Sequence, residues 1–213
     1  MRPACITLTR GAKIDAPYQH PHSFGRRPLC DCKAKAHRLG VKRQMLFFRG
    51  ERPEDITAIH EVHELAFGRP AEADLVDALR ARRKAMLSLV AVEDERIVGH
   101  ILFSPVTIDA GDRTFLAVGL APMAVLPERQ RCGIGSQLVK AGLLECRNAG
   151  YECVVVLGHP TYYPRFGFVP ASRYGLKSEY EVPDEAFMVL AWQEGVLKDR
   201  GGVARYQPEF RGV

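Results

Sequence analysis

Two short stretches of this chain carry residue types that could do chemistry. The first is Gln130-Arg131-Cys132-Gly133-Ile134-Gly135-Ser136. It follows an apolar run of strand length (115–125) and Pro127, and it opens an amphipathic segment that Gly150 can close. A strand, a glycine turn and a helix in that order leave backbone N–H groups unpaired at the positive end of the helix dipole. Glycines admit an anion close to the main chain, and Arg129 and Arg131 stand beside the turn. Phosphate binding is the chemistry this suggests; a tight left-handed turn with no ligand is the plain alternative. The spacing matches neither Gly-x-x-x-x-Gly-Lys-Ser/Thr nor the three-glycine dinucleotide turn with its ribose-binding acid.

The second stretch is Gly158-His159-Pro160-Thr161-Tyr162-Tyr163-Pro164-Arg165-Phe166-Gly167-Phe168. A tyrosine there could donate a proton, although an aromatic cluster between prolines by itself more often packs than reacts. Two other patterns point away from chemistry. His60-Glu61-Val62-His63-Glu64 brings its second histidine one residue too early for His-Glu-x-x-His, so surface or half-buried histidines are expected. Cys132 lies near a helix start, where thiols acidify, but it is expected to face the helix packing.

The elements that must position these stretches follow from periodicity. Residues 46–49 read as a short strand. Pro53, Glu54 and Asp55 open a helix with a stripe of Ile56, Ile59, Val62, His63, Ala66 and Phe67. A second amphipathic helix is expected over 72–83. Strands at 87–93 and 96–106 flank a hairpin turn at Asp94-Glu95, and Gly111-Asp112 marks the next turn. After the glycine-turn helix, 152–157 is short and apolar like a fully buried strand, and 187–192 is a late strand. The closing segment reads as irregular, and 172–182 as loop. Together these predict an α/β sheet of mixed direction.

Composition bounds the rest. A chain of 213 residues, 46% of them apolar, can bury one sizeable core, and no apolar run reaches membrane-spanning length. Residues 1–44 hold ten of the 30 Lys/Arg but two of the 25 Asp/Glu, a net of +8; residues 45–213 are −3. The basic segment shows no helix or strand period and reads as a disordered, dispensable extension, with a domain over 45–213. Its Cys5, His20, His22, Cys30, Cys32 and His37 lack the Cys-x2-Cys pairing of structural zinc sites, so no metal is expected. Six scattered cysteines suit a reducing, cytoplasmic setting. The acidic body and the lack of interleaved aromatics in the tail argue against a nucleic-acid partner.

The glycine turn, after a strand ending Met-Ala-Val, resembles the acetyl-CoA signature (Gln/Arg-x-x-Gly-x-Gly/Ala) of the GCN5-related N-acetyltransferases, the GNAT family. Tyr163 with Gly167-Phe168 fits that family's Tyr-x-x-x-Gly-Phe element residue for residue, about 30 residues downstream as in the family. The resemblance covers about residues 46–192, and 99–106 with 157–168 resemble its YhbS-like bacterial branch. It implies a mixed, mostly antiparallel sheet flanked by helices, with a splayed strand pair holding acetyl-CoA. It further implies that Met123, Ala124 and Val125 pair with the pantetheine arm. The amides of Arg131, Cys132, Gly133, Ile134, Gly135 and Ser136 would hold the pyrophosphate. An acceptor amine, on a small molecule or a peptide, would attack directly, and Tyr163 would protonate the departing thiolate.

The strand over 115–125 departs from many relatives in carrying no carboxylate. Glu72, His100, His159 and bulk water all remain open as the base. A non-catalytic acyl-CoA-binding regulatory domain is the alternative reading, no membrane partner is expected, and a homodimer is left open.

Overall fold

The computed structural model describes residues 45–198 and 200–213. The basic 1–44 extension, with its expected disorder and its six candidate zinc ligands, lies outside the described residues. The chain runs through β1 (Leu46–Gly50), α1 (Ile56–Phe67), α2 (Ala71–Ala81), β2 (Leu87–Glu93), β3 (Arg96–Asp109), β4 (Thr114–Val125), α3 (Ile134–Asn148), β5 (Cys153–Leu157), β6 (Val169–Pro170), β7 (Leu176–Ser178), β8 (Phe187–Ala191) and β9 (Gly202–Arg205). Among the described residues one sheet joins nine strands in the order β1-β2-β3-β4-β5-β8-β6, with β9 on the second half of β3 and β7 on β9. The expected mixed, mostly antiparallel sheet flanked by helices is present.

Local chemistry explains the first half. Asp94 and Glu95 both adopt positive φ (46° and 68°), the geometry of a two-residue hairpin whose twist matches its strands. β1 to β4 therefore form an antiparallel meander. Gly68 ends α1 in the left-handed conformation, its N–H returning to the Glu64 carbonyl. A parallel neighbour for β4 requires a crossover, which α3 supplies before β5. α3 lies on the face of β3 that carries Gly99 and Phe103: a Cβ at Gly99 would stand 3.2 Å from both Ile134 and Leu138. α1 covers the opposite face, where His63 meets His100.

Two irregularities shape the middle of the sheet. In the β3–β4 pair Ile101 faces Met123 and Phe103 faces Leu120, so Ala121 and Pro122 together oppose Leu102. Such a bulge bends its strand and re-aims the residues beyond it. Pairing between β4 and β5 consists of Val118 with Val154 and Gly119 with Val155 and goes no further. β5 itself, paired with β8 along its other edge, continues as far as Leu157. The edge of β4 from Leu120 to Val125 is thus left without its neighbour, and the two strands part as a fork.

The C-terminal part differs from the sequence expectation. Residues 172–182 contain β7, and the segment read as irregular contains β9, whose Val203, Ala204 and Arg205 pair with Asp109, Ile108 and Thr107. Four residues are too few for a periodic signal. The strand exists because β3 outruns β2 and offers a free edge.

Candidate active site: a glycine turn at the strand fork

The turn after β4 is held from both ends. The Gln130 side chain donates to the Val125 carbonyl at 3.0 Å, tying the turn to the strand. Arg131 (φ 60°) and Gly133 (φ 83°) are both left-handed, and space is open where a Cβ of Gly133 would stand. No side chain caps α3. Its first intrahelical amide bond runs from Gln137 to the Gly133 carbonyl at 3.1 Å, so the amides of Ile134, Gly135 and Ser136 precede any helical partner. Ile134 anchors the turn in the core at 1% exposure, while Cys132 is half-buried and Arg131 exposed. An uncapped N-terminus with an open approach fits a phosphate group. Arg129 does not belong to it: its guanidinium forms an ion pair with Glu93 at the end of β2, which offsets the charge expected beside the turn.

Gly135 is where the parts meet. A Cβ there would lie 3.2 Å from the Tyr162 hydroxyl, 3.6 Å from Met123 Cε and 3.7 Å from Val125 Cγ2. The strand residues past the bulge, the first turn of α3 and the loop after β5 therefore converge on one glycine. Ala124 faces the other side of the sheet, opposite His100 in register.

Tyr163 opens a single helical turn (Tyr163–Phe166) that Gly167 closes at φ 96°. Its ring lies over Gly158, the first residue past β5, so close that any Cβ at 158 would overlap it. Phe168 meets the ring edge-on at 5.7 Å. Tyr163 is 7% exposed, and burial pushes its phenol well above the usual range, so it stays a proton donor.

Residues 48–171 match the family model described as the acetyltransferase (GNAT) domain. The chain belongs to the GNAT family. It is 43% identical over 134 residues to YjhQ of Escherichia coli K12, described as an uncharacterised N-acetyltransferase; these are 62% of this chain and 74% of YjhQ. It is 35% identical to YhbS of the same strain over 166 residues, 78% of this chain and 98% of YhbS. The crystal structure of E. coli YhbS in complex with CoA superposes with a TM-score of 0.73, covering 78% of this chain and 91% of that one. A GNAT acetyltransferase of Brucella melitensis in complex with acetyl-CoA gives 0.65 at 39% identity, over 78% and 97% of the two chains.

Within this GNAT domain the candidate bases fare unequally. Glu72 is 5% exposed and ion-paired with Arg69. His100 is fully buried, with Nδ1 2.8 Å from His63 Nε2 and Nε2 2.7 Å from Ser88 Oγ. His159 is exposed in the loop after β5, where its carbonyl accepts the Tyr162 N–H at 3.0 Å. His63 is fully buried, as its place in the α1 stripe implies and against the surface or half-buried setting expected of the His60–His63 pair. Ser88 donates onward to Glu51, which also takes the Arg80 guanidinium at 2.5 Å. Burial pulls the Glu51 carboxyl up, but hydrogen bonds from His100, Arg80 and Ser88 outweigh it and hold it at about 2. Burial, then the neighbouring His100 and Arg80, press His63 down to about 2. With Glu51 ionised, Ser88 must donate to it and accept from His100, so His100 accepts from His63 and leaves the buried His63 Nδ1 bare.

The remaining chemistry-bearing groups are quiet. Burial pushes the Cys146 thiol up to about 12 and Cys153 up to about 11, so neither is a thiolate near neutral pH. Among the described residues no group of His, Cys, Asp and Glu could hold a metal ion, and no helix is long and apolar enough to cross a membrane.

Proposed function

We propose that this GNAT domain, over residues 45–213, transfers an acetyl group from acetyl-CoA to a primary amine of a small molecule or peptide by direct attack. The observation that carries the reading is the uncapped α3 N-terminus opening beside the fork where β4 leaves β5. The amides of residues 131–136 hold the diphosphate, and the free edge of β4 at Met123, Ala124 and Val125 takes the pantetheine arm as an added strand. The thioester supplies the activated acyl group. Holding both reactants at the fork provides proximity, and the Tyr163 phenol protonates the departing thiolate. A reducing, cytoplasmic setting suits the buried free thiols Cys146 and Cys153.

A second reading, an acyl-CoA-binding regulatory domain without turnover, is favoured by one observation. β4 carries no carboxylate, and both Glu72 and His100 are buried and already engaged. Calorimetry with CoA and a thiol-release assay over a panel of amines, peptides and polyamines separate the two. CoA binding with amine-dependent thiol release is the expected result. Binding without release by any amine leaves the regulatory reading, and no binding removes both.

A further inference from the structure

Tyr162 is the residue of this cleft that the family motif does not account for. It is half-buried, and its ring is fixed on three sides. Tyr163 meets it edge-on at 5.1 Å, Phe166 at 5.3 Å, and the Arg165 guanidinium lies 4.8 Å above its centroid. The Arg165 guanidinium is itself steadied by the Thr161 carbonyl at 3.2 Å. So held, the phenol projects over the first turn of α3. Its oxygen is 3.4 Å from Ser136 Oγ and 3.2 Å from where a Cβ of Gly135 would be.

A good O–H···O bond is about 2.7–2.8 Å. At 3.4 Å the bond between the two hydroxyls is long and weak, and a ligand can displace it at little cost. Two weakly engaged hydroxyls thus stand over the unpaired amides of Ile134, Gly135 and Ser136, with the Arg165 cation stacked behind one of them. The amides and the guanidinium can only donate, and each hydroxyl has a proton to offer, which suits an anion.

Resting on the acetyl-CoA reading above, we infer that Tyr162 is a cofactor-binding residue: its hydroxyl, with that of Ser136, closes the diphosphate site from the β5 side, and Arg165 holds the ring in place. The consecutive tyrosines then divide the coenzyme between them, Tyr162 at the diphosphate and Tyr163 at the sulfur. A side chain at Gly135 would crowd that contact, since its Cβ would stand 3.2 Å from the phenol oxygen.

Calorimetry of wild type, Tyr162→Phe and Ser136→Ala with CoA and with dephospho-CoA tests this. Tyr162→Phe keeps the ring and its packing, and its thermal midpoint without ligand should match wild type. The expected result is about tenfold weaker binding of both ligands in Tyr162→Phe, since both carry the diphosphate. Ser136→Ala should weaken both in the same sense. Unchanged affinity in Tyr162→Phe overturns the inference while leaving the acetyl-CoA reading intact. A penalty seen with CoA but not with dephospho-CoA also overturns it, because the contact would then be to the 3′-phosphate. Failure of wild type to bind either ligand removes the underlying reading itself.

Discussion

The rings of Tyr162 and Tyr163 stand 5.1 Å apart with their planes at 89°, so two adjacent phenols lie in different places. Tyr162 reaches the glycine turn at Ser136, whereas Tyr163 folds back over Gly158 and Phe168 at the end of β5. A short helical turn makes this possible, because consecutive residues on it project about 100–120° apart. Losses at the two positions should therefore differ in kind.

Tyr163→Phe removes one oxygen from a tightly packed ring. Turnover should fall about 10²-fold, the low end for general-acid catalysis, while CoA affinity stays within about twofold. Steady-state kinetics with calorimetry check this. Equal turnover in the variant would show that water or another group protonates the thiolate.

Gly135→Asp places bulk and negative charge where Tyr162, Met123 and Val125 converge. CoA affinity should drop by more than about 100-fold, because like charge at the diphosphate adds to the steric block. Calorimetry reads the affinity, and circular dichroism shows whether α3 persists. Binding at wild-type strength would make the turn purely structural.

Gly142 lies inside α3, where alanine ordinarily stabilises a helix by about 1 kcal/mol. Here a Cβ would overlap the ring of Phe103, which is fully buried and cannot retreat. Gly142→Ala should lower stability by about 1–3 kcal/mol instead, and adding Phe103→Leu should recover part of the loss. Urea midpoints of the single and double variants decide it.

Acid should destabilise the fold before the carboxylates titrate. His63 has its pKa depressed from 6.5 to about 2 by burial. Below about 6.5 the unfolded chain binds a proton that the folded protein does not, so this stability is present above that pH and is lost as pH falls toward 2. Each pH unit in that window costs up to about 1.4 kcal/mol per such histidine. Burial depresses His100 as well, and Glu51, lowered from 4.5 to about 2, adds a loss of the same sign further down. Urea midpoints between pH 8 and pH 4 should fall, and His63→Gln, which keeps a donor but cannot titrate, should flatten the slope. Identical slopes would place the acid sensitivity elsewhere.

A chain starting at Met45 should fold and bind CoA like the 213-residue chain. Met45 already joins the domain edge: its amide donates to Asp94 Oδ1 at 3.2 Å, and its carbonyl accepts the Asp94 N–H. Calorimetry and thermal unfolding of the shortened chain check this, and failure to fold would show that residues 1–44 are needed.

What could be read from the residues alone was what short windows encode. The stripe of α1, the Asp94-Glu95 hairpin, the glycine turn before α3 and the apolar run of β5 each depend on a few neighbouring residues. Their order carried the family resemblance, and the structure brings Tyr162 to Gly135 of the turn while Tyr163 lies over Gly158 at the end of β5. Tertiary structure decided everything that depends on partners far along the chain. Pairing of β4 with β5 stops at Gly119 although β5 runs on to Leu157 beside β8, and no local pattern states where such a ladder ends. β9 is a strand because β3 offers it an edge, Arg129 is lost to Glu93, and His63 is buried because His100 awaits it beneath α1. Periodicity and turn propensity are properties of neighbouring residues. The fork, the placement of Tyr162 and the buried polar chain are properties of surfaces that exist only once those elements have packed.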